Sequence, residues 1–134
     1  MTRHSQQGSA TVFLLGFATV LMVGAGLVID GGLALNGRQR IADDAEQASR
    51  YGANAIDESA LRGRGEVVVD SDAAIARATE FMAEKGYRNI SVSVDGDEVT
   101  TSAEGTVDTA LLSLVGIKSF TVRGEATAEA VDGR

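Results

Sequence analysis

Twenty consecutive residues, positions 10–29, carry no charged side chain. At 1.5 Å of rise per residue they form a helix about 30 Å long, the thickness of a bilayer's hydrocarbon layer. Within the run only Thr11 and Thr19 bring a hydroxyl, and a threonine can satisfy its hydroxyl on a carbonyl of its own helix. A core helix of a small soluble domain would show a polar face, which this run lacks. A secretion signal is the other alternative, since Arg3 precedes the run and Gly32-Leu33-Ala34 supplies small residues for cleavage. The apolar region of a signal is usually about 7 to 15 residues, however, and this one is longer. A permanent membrane anchor is therefore expected. The positive-inside count sets Arg3 against Arg38 and Arg40 and does not decide orientation. A cytoplasmic N-terminus is preferred, because so short a leader gives little to translocate and long domains cross largely regardless of charge.

The remaining residues make an acidic body. Arg3 is the only charged side chain before Asp30, so positions 30–134 carry 11 basic and 19 acidic groups, a net charge of −8. Such a balance argues against binding nucleic acid, which needs clustered cations, and Arg62-Gly63-Arg64-Gly65 reads as a solvated loop. With no cysteine in 134 residues, disulfides, thiolate metal sites and a cysteine nucleophile are excluded.

Beyond the anchor the helical pattern continues. Ala34, Arg38, Ile41, Ala45, Ala48, Gly52 and Ala55 follow a four-three spacing, a narrow seam along a helix expected to run from about residue 9 to about 56. So slender a seam buries little area by itself, so the extension must rest on other helices or on the chain's own C-terminal part. Thr11, Ala18, Ala25 and Gly32 recur every seven residues and form a small-residue stripe in the anchor. Along it a second helix could approach closely. Asp30 reads as the point where the apolar run meets water, rather than as a functional intramembrane carboxylate.

Residues 58–69 read as a loop, with a short strand at Val67-Val68-Val69. A helix follows, capped by Asp70 or Ser71, burying Ile75, Ala78, Phe81 and Met82, and ended by Gly86. Ile90, Val92 and Val94 alternate with polar residues, Asp95-Gly96 turns the chain, and Val99, Thr101 and Ala103 return, which predicts a β-hairpin. Asp108 is placed to cap a short helix containing Leu111, Leu112, Leu114 and Val115 and closed by Gly116. A final strand turns Phe120, Val122, Gly124, Ala126, Ala128 and Ala130 inward. The expected fold is α+β: a long N-terminal transmembrane helix extended into a small C-terminal cap of about three antiparallel strands and two short helices. Its divisions are 1–9 (cytoplasmic), 10–30 (transmembrane), 31–57 (helix extension) and 58–134 (cap).

Catalytic constellations are not evident. His4, the only imidazole, has no cysteine or carboxylate beside it. Asp95, Asp97 and Glu98 sit at a hairpin tip without the spacing of a calcium loop. Asp43 and Asp44 lie about 100° apart around a helix, a poor geometry for a shared proton. Gly63 and Gly65 precede no phosphate-cradling lysine. No catalytic residue, metal, cofactor or small-molecule substrate is expected.

The order of these parts resembles the TadE/TadG-like family of bacterial tight-adherence (Flp) pilus and secretion systems. The similarity lies in Arg3 with Gly8-Ser9-Ala10-Thr11-Val12, in the exit Asp30-Gly31-Gly32, in the Ala-rich continuation from Ile41 through Ala53, and in Leu111-Leu112-Ser113-Leu114-Val115-Gly116-Ile117 before an alternating strand. The resemblance implies a pseudopilin-like, single-pass component without catalytic residues, which helps to build or anchor a surface pilus. Its implied partners are the lipid bilayer and other Tad components or copies of itself, met through helix packing at Thr11, Ala18, Ala25, Gly32, Ala45 and Ala48. Members cut after a glycine carry glutamate five residues on. Counted from Ser9, this chain has Phe13 there, so an unprocessed component of the cell membrane, its C-terminal domain extracytoplasmic, is expected. The alternatives are a minor pilin processed at Gly8-Ser9 and a secreted soluble binding module released after Ala34.

Overall fold

The apolar run and its continuation form one uninterrupted helix, α1 (Gln6–Ala53), 48 residues long and so about 70 Å from end to end. The computed structural model describes residues 6–65 and 68–130. Arg3, His4 and the Val67 of the expected short strand lie outside them. Glycines at 31, 32 and 37 do not interrupt α1, because neighbouring turns keep the backbone bonds that a single glycine weakens by only about 1 kcal/mol.

Residues 58–64 form a helix and not the expected loop: α2 (Glu58–Arg64). The glycines and arginines of this stretch suggested flexibility, but Asp57 caps it by accepting from the Ser59 and Ala60 amides (2.8 and 3.2 Å), and Arg62 pairs with Glu58 one turn back at 2.7 Å. Of the expected strand, the described Val68 and Val69 contribute one isolated bridge, from Val69 to Ile56.

Helix α3 (Ser71–Glu84) begins at Asp70, whose carboxylate accepts from the Ala73 amide at 3.1 Å. Its buried line is Ala74, Ala78 and Met82, with Phe81 half-buried. Ile75, expected in the core, is 40% exposed. The close approach of α3 to α1 explains this: a Cβ on Gly52 would lie 3.1 Å from the Ala74 carbonyl oxygen. Only a small side chain fits at that crossing, which turns Ile75, about 100° around the helix, outward.

Three antiparallel strands follow in the order β1 (Arg88–Asp95), β2 (Glu98–Asp108) and β3 (Ser119–Glu129). Gly96 and Asp97 join β1 to β2, and Val94 faces Val99 beside the turn. Val99–Ala128, Thr101–Ala126, Ala103–Gly124 and Gly105–Val122 are paired across β2 and β3, and these are the inward positions that the period-two pattern marks. The C-terminal half of α1 lies over β2 and β3, and α3 over β1 and against α1. Both helices thus cover one face of the sheet, an α+β arrangement of two layers.

The core is built of small residues. Ile41, Ala45, Ala48, Ala78, Met82 and Ala103 form one cluster, and Ala53, Ala55, Val69, Ala74, Val99 and Ala130 form another. Glycine makes the closest backbone contact: a Cβ on Gly124 of β3 would stand 2.5 Å from the Ala42 nitrogen and 2.8 Å from the Ile41 carbonyl carbon. Helix backbone and strand backbone touch there with no side chain between them. Within this core the Ser49 hydroxyl stands 2.9 Å from Thr101 Oγ1 and 3.1 Å from the Ala126 carbonyl, either of which can accept its one proton, which satisfies a polar group that burial would otherwise penalise.

Candidate functional site: the junction of helix and cap

Asp30 sits where the apolar half of α1 gives way to its buried half, and its side chain is fully buried. Expected as a simple stop at the water boundary, it is instead the binding point for a distant segment. One carboxylate oxygen accepts from the Ala110 amide at 2.6 Å, the other from the Leu112 amide at 2.6 Å, and both from the Leu111 amide at 3.3 and 3.1 Å. These three amides precede and open a short 3-10 turn, Leu112–Val115, closed by Gly116 at φ 93°, a left-handed conformation that suits glycine. Such a turn leaves its first N–H groups without internal partners, and a carboxylate is the natural acceptor. Asp108, expected to play that part, is the last residue of β2 and pairs with Ser119. The cap comes from 80 residues earlier in the chain. No local pattern signals it, because each partner alone has an ordinary reading.

The same segment packs one turn lower on α1. A Cβ on Gly26 would come within 3.2 Å of Leu111 Cβ and 3.6 Å of Leu112 Cδ2, so a larger side chain at 26 would push the turn away. Gly26 and Asp30, four residues apart on one helix face, therefore form a seat of which one part removes bulk and the other supplies charge. Above the seat, an open groove of about 1110 Å³ runs between α1 and β3, lined by Gly31, Ala34, Leu35, Arg38, Val122 and Arg123 among others.

A second polar cluster fastens the extension. Tyr87 donates to Asp44 at 2.6 Å, and Lys85 pairs with the other Asp44 oxygen at 2.9 Å while standing 5.1 Å from the centre of the Phe81 ring. Burial opposes charge on Asp44, but the hydrogen bonds from Tyr87 and Lys85, with the positive charge of Lys85 and Arg40, outweigh it and lower its pKa. Burial, together with the carboxylate it faces, pushes the Tyr87 hydroxyl up to about 12. Both effects belong to a fastening.

Gly8, Ser9, Thr11, Ala18, Ala25 and Gly32 all lie on exposed positions of α1, while Ala45 and Ala48 are fully buried in the protein's own core. Ala18, Ala25 and Gly32 of the small stripe are exposed, and a Cβ on Gly32 would meet nothing within 4 Å. Asp95, Asp97 and Glu98 remain exposed around the hairpin turn, and among the described residues no group of acidic or imidazole side chains has the arrangement of a metal site.

These features define a class: an α+β cap carried on one helix long and apolar enough to cross a membrane. Residues 8–63 match the Tad family model, described as Flp pilus-assembly TadE/G-like. The match takes in α1 from Gly8 onward, with Asp30 and most of α2, and stops before α3 and the sheet. No curated protein and no solved structure matches the chain.

Proposed function

We propose that the protein is a non-enzymatic, single-pass membrane component of a Tad (Flp)-type pilus assembly or secretion system. In this reading the N-terminus is cytoplasmic, the segment about 10–30 spans the membrane, and the cap, with the helix extension, stands outside. It acts through contacts with other proteins: the stripe Thr11, Ala18, Ala25 and Gly32 is open to a neighbouring helix, and the acidic cap is open to partners beyond the bilayer. The observation that carries the reading is the exposure of the apolar half of α1 at every described side chain from Val12 to Ile29 but Gly26, with Phe13 76% and Val28 76% accessible. A water-soluble protein would not leave so long a continuous apolar surface uncovered. The family match over the same helix points to the Flp apparatus.

The test is fractionation and protease accessibility in cells, with a tag at each end. Full-length protein that resists carbonate extraction, with a digestible C-terminal tag and a protected N-terminal one, supports the proposal. Release of full-length protein by carbonate would overturn the anchoring, and the reverse tag pattern would overturn the orientation.

A minor pilin cut between Gly8 and Ser9 is a second reading, favoured by the exposure of both residues on α1. Phe13 in place of a register-setting carboxylate speaks against it. The intact mass of the cellular protein separates the two. Release after Ala34 is less compatible with the fold, because it would remove Gly26 and Asp30 and leave the amides of residues 110–112 without their acceptor.

A further inference from the structure

The turn seated on Gly26 and Asp30 leaves three large apolar side chains uncovered: Leu114 is 71% exposed, Val115 58% and Ile117 45%. They stand in an otherwise acidic cap, yet residues 109–122 hold one charge, the cation of Lys118. Position supplies the second half of the argument. Gly26 lies inside the uncharged run, one helical turn before Asp30, so the turn packed on it lies beside the apolar helix and not above it. Asp30 faces into the cap and is fully buried, so it does not interrupt the outer surface of α1. That surface stays uncharged from Gly8 through Gly37, with Leu33 and Leu35 exposed, until Arg38 and Arg40. Thirty residues of helix span about 45 Å, a bilayer with its headgroup layers, whereas the hydrocarbon alone needs about 20 residues.

We propose that the turn bearing Leu114, Val115 and Ile117 is a second membrane contact, inserted into the lipid interface beside α1, with Asp30 as the tie that holds it at that depth. The inference rests on the membrane-anchored reading above. The occupant assigned to this patch is lipid, because the turn that carries it packs through Leu111 and Leu112 on Gly26 of the exposed apolar helix and because its one charge is a lysine, whose stem can lie along apolar surface while its ammonium reaches the headgroups. Four points of attachment follow for the base of the cap: the helix itself and the three apolar side chains. They fix how the cap tilts over the membrane, and hence which of its faces meets neighbouring components.

The chain has no tryptophan, so one introduced indole reports its own position. Full-length Val115→Trp, Phe17→Trp and Asp97→Trp variants are reconstituted in phosphatidylcholine–phosphatidylglycerol vesicles whose acyl chains are brominated near either the headgroup or the methyl end. Phe17 and the hairpin-tip Asp97 are exposed, as is Val115, so the replacements need no repacking, and Leu114→Trp serves as a repeat. The expected result is strong quenching of V115W by the shallow bromines with blue-shifted emission, quenching of F17W by the deep bromines, and neither effect in D97W. If F17W is quenched while V115W behaves like D97W, the turn does not enter lipid and the inference falls, with the anchor intact. Shielding of V115W from aqueous acrylamide without bromine quenching would show that protein covers the patch, which also overturns the assignment. If F17W escapes the bromines as well, the membrane reading itself fails and the inference with it.

Discussion

Between residues 8 and 29, α1 carries Val12, Phe13, Leu14, Leu15, Phe17, Val20, Leu21 and Met22, all more than half exposed, whereas between residues 30 and 53 its core contacts are made by Asp30, Ile41, Ala45, Ala48 and Ser49, none more than 3% exposed. One continuous helix thus turns its large apolar side chains outward in one half and, Ile41 apart, buries small or polar ones in the other. In water alone this would be inverted, because burying a leucine stabilises more than burying an alanine. The inversion is consistent with two solvents: lipid accepts the large side chains where they are, while the cap selects residues small enough for helix and sheet backbones to touch.

Glycine replacement tests the contrast most severely. Gly124→Ala puts a methyl against the α1 backbone at Ile41 and Ala42, and the cap is expected to lose about 3 kcal/mol, read as lowered thermal melting of the full chain in detergent. The same change at Gly16, which has open space around it, is expected to leave melting within about 0.5 kcal/mol. Equal effects at the two sites would remove the distinction between the halves. Asp30→Ala comes next. It strips the acceptor from three amides, so hydrogen exchange at residues 110–112 is expected to accelerate and the cap to melt earlier, while the protein stays in the membrane fraction. Loss from that fraction would show that Asp30 matters to the anchor and not only to the cap.

Ser49→Ala is smaller, at about 1 kcal/mol, because it removes the hydroxyl from Thr101 and Ala126 without opening a cavity of any size. The mildest effect is one of pH. Because the folded-state pKa of Tyr87 is raised from 10.0 to about 12, its contribution is complete below pH 10 and is lost as pH rises through 12. Asp44, with a lowered pKa, contributes above its ordinary range near 3.8 and loses that contribution as the solution is acidified through its folded value. Tyr87→Phe is expected to lower the neutral plateau of a calorimetric pH profile and to flatten its alkaline limb, because the contribution that the native protein loses above pH 10 is already missing.

The parts legible in the sequence are those whose signal is periodic and local. Alternation along β1, β2 and β3 gave the inward faces correctly down to Gly124 and Ala130, and the Asp70 cap marked the start of α3. Ile41, Ala45, Ala48 and Gly52 were readable as a seam, although what covers it, the chain's own sheet and α3, was one of two possibilities. Ile75 was misread because hydrophobicity ranks it above Ala74, while the crossing with Gly52 depends on size. The loop expected over α2 failed because two glycines outweighed one capping aspartate and one ion pair. Asp30 was the least legible of all. A charge at the end of an apolar run has a sufficient explanation in its neighbours, and its three amides are brought to it only by the completed fold.

Synthesis order gives the glycine and alanine seam a further value. α1 leaves the ribosome well before β2 and β3 exist, so its outer half must wait uncovered for the strands that will close over it. A stripe of leucines would be adhesive during that interval and prone to capture by the wrong helix. One made of alanine, glycine and serine has little area to offer a stray partner, and becomes sticky only to a surface that fits it closely enough for backbone to meet backbone.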